Sequence, residues 1–241
     1  MRTSASTTNS AHALVWDLPV RLAHWGLTLT LAGSWLTAEL GVEYREYHFW
    51  CGYAALAILL FRLMWGLVGS RYARFAEFLP SPARVVGYVR QQFSGQTPTP
   101  AGPGHNPLGA LALVVMLGLI GVQITSGLFA DDDILYTGPY QSAVSEATVK
   151  WFTNLHHSNV DYLLAMIVLH LLAIGFYQFA RGQRLTRAMI TGRKPIAEFA
   201  ANPPIPHTAW LRGLVVFAIA VALVALLLYL APEPVYDDYY Y

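Results

Sequence analysis

Five stretches of this 241-residue chain, at 22–40, 49–68, 108–129, 159–180 and 211–230, are apolar and hold at most one charged residue each. A bilayer's hydrocarbon core is ~30 Å thick, and an α-helix needs roughly 20 apolar residues to cross it. Inside lipid only helices and closed barrels satisfy every backbone N–H and C=O. The chain is therefore expected to be an all-α integral membrane protein with five spanning helices. Its charged residues make up 12% of the sequence, about half the usual share of a soluble domain, which excludes an ordinary soluble enzyme.

The charges between the spans set the expected topology. The segment between the second and third spans carries Arg71, Arg74, Arg84 and Arg90 against Glu77, and that between the fourth and fifth carries Arg181, Arg184, Arg187, Arg193 and Lys194 against Glu198. The other connections and the tail carry Glu39, Glu43, Glu46, Asp131, Asp132, Asp133, Glu146, Glu233, Asp237 and Asp238, with Arg45 and Lys150. The positive-inside rule then predicts a cytoplasmic N-terminus and a periplasmic C-terminus. The polar start has no apolar core with a small-residue cleavage site, so the first span is expected to serve as its own insertion signal. A single cysteine, Cys51, excludes an intrachain disulfide, thioether haem attachment through C-x-x-C-H and a cysteine-ligated iron–sulfur cluster.

Four of the eight histidines fall at apolar depth or at its edge: His24, His48, His156 and His170. Fourteen residues of helix turn 1400°, which returns to within ~40° of the starting face, and rise ~21 Å. His156 and His170 are fourteen apart and share a face near opposite membrane surfaces. His157 points about 140° away from His170, so His156 is preferred at that end, although the start of this helix leaves the choice open. With the alternating directions of the spans, His24 falls level with His170, and His48 with His156. Two transverse imidazole pairs are the arrangement that holds b-type haem without covalent attachment. Iron would satisfy ring nitrogens that are costly to leave unpaired in lipid. The competing reading is a haem-free membrane transporter or structural subunit whose histidines relay protons.

Gly52 and Gly66 repeat the fourteen-residue spacing, as a close approach of a flat macrocycle or simple helix packing would require. Arg62, fourteen residues after His48, is an intramembrane cation suited to a haem propionate or to snorkelling. The segment 71–93 suits a helix on the membrane surface, 94–104 reads as a Pro/Gly/Thr linker, and Trp25, Trp50, Trp65 and the tail tyrosines read as interfacial aromatics.

Four stretches carry a family likeness: VWDLPVRLAHW, HFWCGYAALAILLFRLMWGLVGSRYARF, GHNPLGALALV and LHHSNVDYLLAMIVLH followed by RAMITGRKP. Together they resemble the bacterial dihaem b-type cytochromes, the prokaryotic cytochrome b561 proteins and the b-type cytochrome subunits of nickel–iron hydrogenases. The likeness runs over roughly 15–195. It implies a four-helix bundle with two haem b groups on His24, His48, His156 and His170, in a domain at 1–195. Residues 196–241 would add a linker, a fifth span and an acidic, tyrosine-rich periplasmic tail. The family often has His-Glu where this chain has His156-His157. The implied role is electron transfer in the bacterial inner membrane, as an electron-transfer subunit or a quinone-linked oxidoreductase. It would join the quinone pool to a periplasmic partner: a cationic c-type cytochrome, or a hydrogenase-like dehydrogenase. Nucleic acid is not an expected partner. The quinone is expected near Arg62, His105 and Arg21, and a cationic partner near Asp131, Asp132 and Asp133. A superoxide:quinone oxidoreductase is the alternative within the family; the acidic loops would repel its anionic substrate.

Overall fold

The computed structural model describes residues 12–94, 103–132, 136–199 and 203–233. The polar start, most of the 94–104 linker, Asp133 and the tail tyrosines lie outside them.

The first helix, α1 (Leu18–Glu39), starts where Asp17 accepts the Val20 N–H at 2.7 Å and Pro19 fits the opening turn. Gly41, at φ +116°, reverses the chain through a 3-10 turn into α2 (Arg45–Val68). The surface segment is broken: a 3-10 turn at Arg71–Ala73 and the short α3 (Phe75–Phe78) precede α4 (Pro82–Phe93). Pro80 and Pro82 cannot continue a helix from the preceding residues, which explains the break. Asn106 then caps α5 (Pro107–Gly127), and Ser145 caps α6 (Glu146–Phe179). A short α7 (Leu185–Thr191) precedes the last long helix, α8 (Trp210–Tyr229). Strand β1 (His12–Leu14) pairs antiparallel with β2 (Arg193–Pro195).

Among the described residues four helical segments are long and apolar enough to cross a membrane: Val42–Val68, Pro107–Gly127, Glu146–Phe179 and Trp210–Tyr229. The remaining expected span, α1, has the length at 22 residues but is diluted by Arg21, His24 and Glu39 as well as by threonines and serine. Its threonine hydroxyls turn back on the helix, Thr28 to the His24 carbonyl at 2.9 Å and Thr37 to that of Gly33 at 2.7 Å. The fourth expected span differs more: α6 begins at Glu146 rather than near 159, so its polar first turns extend an unbroken helix ahead of the apolar segment.

Helices α1 and α2 form one antiparallel hairpin, α5 and α6 another, and α2 joins them while also carrying α8. One core cluster gathers Val20, Ala23, Phe61, Trp65, Val216 and Ala220, and a second gathers Leu59, Leu117, Ile120 and Leu163. The outer faces leave Leu171, Leu172, Phe176 and Leu214 exposed, an apolar surface that only lipid covers at low cost.

Tertiary hydrogen bonds tie each end. At the basic end Arg21 donates to the Ile190 carbonyl at 2.6 Å, Val15 N–H to that of Gly192 at 2.8 Å, and Tyr72 to that of Pro203 at 2.8 Å. At the acidic end Arg45 pairs with Asp132 at 3.7 Å, and Tyr140 donates to the Leu227 carbonyl at 2.7 Å.

Candidate functional site

The two hairpins bring the four intramembrane histidines together as two pairs. His24 and His170 face each other toward the basic end, with ring centroids 6.5 Å apart. His48 and His156 do the same toward the acidic end at 6.1 Å. His157 is exposed, whereas His156 is half-buried on the seam. Continuous α6 makes the fourteen-residue spacing of His156 and His170 a true helical spacing.

The acidic-end pair has a supporting shell. His48 Nδ1 lies 2.8 Å from the Ser34 carbonyl and 3.1 Å from its hydroxyl. A carbonyl only accepts, so Nδ1 carries the proton and Nε2 is left with a lone pair. His156 repeats the device, with Nδ1 2.9 Å from the Gln123 carbonyl. The Gln123 amide lies 3.2 Å from His156 Nε2, and its oxygen accepts from Asn159 at 2.7 Å. Gly127 makes room for the ring, because a Cβ there would meet His156 Cε1 at 2.9 Å and Nδ1 at 3.1 Å. Ser34, Gln123, Asn159 and Gly127 were not singled out in the sequence. A glutamine in the largely apolar α5 and an asparagine at the start of the fourth expected span were the available signals.

The basic-end pair is bare by comparison. His24 Nδ1 is buried with no hydrogen-bond partner among the described residues. Arg62 lies fourteen residues beyond His48 on α2, so the helix carries it ~21 Å toward this end. It is 6% exposed, stands over the Phe75 and Phe78 rings at 5.2 and 5.9 Å, and has an unpartnered Nη1. His105 sits between Trp16 and Phe78 at 4.7 and 4.9 Å with its Nδ1 sealed and unpartnered. Burial, reinforced by the positive charges of Arg62 and Lys194 and by His170, pushes His105 down to about 3. Arg21 is engaged instead by the Ile190 carbonyl and, at 3.4 Å, by that of Asp17.

Other expected positions fall as follows. No atom lies within 4 Å of a Cβ built on Gly52, which leaves a notch in α2, whereas the corresponding place at Gly66 is filled by the Phe75 ring. Trp65 is fully buried rather than interfacial, donating to Asp17 at 3.0 Å. Asp17, also fully buried, further accepts from Ser70 and so fastens the start of α1 to the end of α2. Asp131 and Asp132 have internal partners, Gln141 at 3.3 Å and Arg45, so they anchor their own loop. Among the described residues no three His, Cys, Asp or Glu side chains gather around a bare ion.

Neither a curated protein nor a solved structure matches the chain significantly. The model of one family, Prokaryotic cytochrome b561, matches residues 15–192, which span all four histidines and both hairpins. Helices fit for a membrane, paired histidines and this match agree, and the chain belongs to the prokaryotic cytochrome b561 family, multi-pass haem b proteins of bacterial membranes that transfer electrons.

Proposed function

We propose that the chain moves electrons across the bacterial inner membrane through two haem b groups, one held by His24 and His170 and the other by His48 and His156. It would link a periplasmic redox partner to the quinone pool. The observation that carries this reading is the ring spacing. A metal–imidazole bond of ~2 Å, plus ~1.1 Å from nitrogen to ring centre, on both sides of one iron separates the centroids by ~6 Å. Distances of 6.1 and 6.5 Å match that requirement twice. The notch at Gly52 is a further sign that the residues fit haem. Gln123 is the group a metal would displace from His156 Nε2.

When bound, haem supplies a one-electron couple; the chain supplies the rest. His48 and His156 keep Nε2 available by giving their Nδ1 protons to carbonyls. Arg62 offers Nη1 to a propionate. His105, neutral and uncharged at ordinary pH, lines the same region with Nδ1 sealed from water, and a quinone reduced there would draw its protons from the basic, cytoplasmic end. The satisfied hydroxyls of α1 support its crossing the membrane as a fifth span. Residues 1–195 then form the haem-binding unit, 196–241 add α8 and the tail, and the N-terminus is cytoplasmic. A cationic partner, a c-type cytochrome or a dehydrogenase subunit, would meet the exposed Glu39 and Glu43.

The test is the haem content of the purified protein by pyridine haemochrome, with the reduced-minus-oxidised spectrum. Two non-covalent b haems per chain are expected. His170→Ala should remove one and abolish quinone-linked reduction; two full-strength haems in that variant would refute the ligand assignment, and none in the wild type would favour proton relay.

A further inference from the structure

The two histidine pairs are built differently, and the difference is one that tunes iron. At the acidic end both imidazoles give Nδ1–H to a backbone carbonyl, Ser34 at 2.8 Å and Gln123 at 2.9 Å. At the basic end His24 Nδ1 is buried without a partner, and no hydrogen bond joins the His170 ring to another described residue. A donated Nδ1–H leaves the imidazole more basic and more electron-donating, which favours the oxidised metal. An imidazole without that bond is the poorer donor and favours the reduced metal.

The fixed charges act in the same direction. Reduction adds a negative charge, so a nearby buried cation makes it easier. Arg62 is buried at the basic-end level, faced by the single negative charge of Asp17, and Lys194 adds a second cation to the region around His105, so the buried charge there is net positive. At the acidic end Arg45 acts on both His48 and His156, but its charge is balanced by Asp132 at 3.7 Å.

From these two asymmetries we infer that the haem between His48 and His156 has the lower midpoint potential and the haem between His24 and His170 the higher. This rests on the two-haem reading above. It gives the wire a direction: an electron leaves the level of His48 and His156, which is oxidised, for the level of His24 and His170, which is reduced. Two such transfers, from a one-electron donor at the acidic end, and two protons convert one quinone to quinol at the basic end. Ser34, Gln123 and Arg62 are positioning residues here, acting through the imidazoles or through space.

The test is a potentiometric titration of the purified two-haem protein, followed optically, beside His170→Ala and Arg62→Gln. The wild type should titrate as two components. His170→Ala should lose the higher component and keep the lower at its wild-type midpoint, while Arg62→Gln, which keeps all four ligands, should lower the higher component alone. Loss of the lower component in His170→Ala, or a shift of only the lower one in Arg62→Gln, would overturn the inference and leave the two-haem reading standing. Fewer than two haems in the wild type would overturn both.

Discussion

Replacing Gly127 by Ala should damage one of the two proposed haem sites and spare the other. The new Cβ would lie 2.9 Å from His156 Cε1 and 3.1 Å from Nδ1, against a comfortable separation of about 3.5–4.0 Å, so the ring must retreat by roughly 0.5–1 Å. Gln123 is one turn before Gly127 on the same helix, and a retreat from α5 therefore stretches the 2.9 Å bond from Nδ1 to the Gln123 carbonyl toward the limit of hydrogen bonding. Overpacking costs about 1–3 kcal/mol, and alanine returns about 0.5–1 kcal/mol of helix preference. The net loss is about 1 kcal/mol, within a range of roughly 0–2.5 kcal/mol. Gly121→Ala is the control, because its Cβ meets only Leu59 Cδ2, at 3.9 Å. In a potentiometric titration Gly127→Ala should raise the midpoint of the lower component as the anchor weakens, leave the higher one in place, and melt earlier in detergent than Gly121→Ala. Wild-type midpoints for both haems, together with equal melting of the two variants, would refute the role given to the His156 anchor.

Asp17→Ala should lose an N-cap and strand the buried donor of Trp65 and the half-buried one of Ser70, costing about 3–5 kcal/mol; a melting point within a few degrees of wild type would refute it as the fastening between α1 and α2. His105 binds its proton only near pH 3 in the fold, against 6.5 unperturbed. Its stabilising contribution is therefore full above 6.5 and lost as pH falls toward 3, at roughly 1 kcal/mol per pH unit after allowing for the exposed edge of the ring. His105→Gln should flatten detergent melting curves across that window, and an unchanged slope would place the acid lability elsewhere. Neutralising Glu39 and Glu43 should slow reduction by a cationic partner and weaken its salt dependence, whereas Asp132→Asn should instead loosen the loop by releasing Arg45; equal kinetic effects from both would mean the docking surface lies on that loop.

The histidine pairs were legible because helical phase and alternating span direction are both properties of sequence. Those two rules place His24 opposite His170 and His48 opposite His156 without any knowledge of packing. The anchors were not legible, since the groups that hold His48 and His156 are carbonyls, which every residue has. Asp17 was not singled out in the sequence; the Asp-Leu-Pro start of a helix was readable as a cap, but the contacts with Trp65 and Ser70 are 48 and 53 residues away. The early start of α6 was hidden because 146–158 is polar and a search for apolar runs passes over it. Asp131 and Asp132 look like a free acidic patch until the loop closes on Gln141 and Arg45.

Sequence separation also says what haem adds to the fold. His48 is anchored by Ser34 across the α1–α2 hairpin, and His156 by Gln123 across the α5–α6 hairpin. Each hairpin thus orients its own acidic-end imidazole through contacts internal to itself. The pairs, in contrast, form only between hairpins, and α2 packs along α5 far less than along α1. The contact between the hairpins is therefore weaker than the contact within either, and the proposed iron–histidine bonds bridge the hairpins twice, from α6 to α1 at one end and from α6 to α2 at the other. Anything that binds the folded arrangement and not the separated one stabilises it by linkage, so removing haem should part the hairpins before either hairpin unravels. Hydrogen exchange on haem-free protein would then rise first where α2 meets α5, around Leu59 and Ile120, while α1 against α2 stays protected. Uniform loss of protection would mean that haem is bound by a bundle already complete without it.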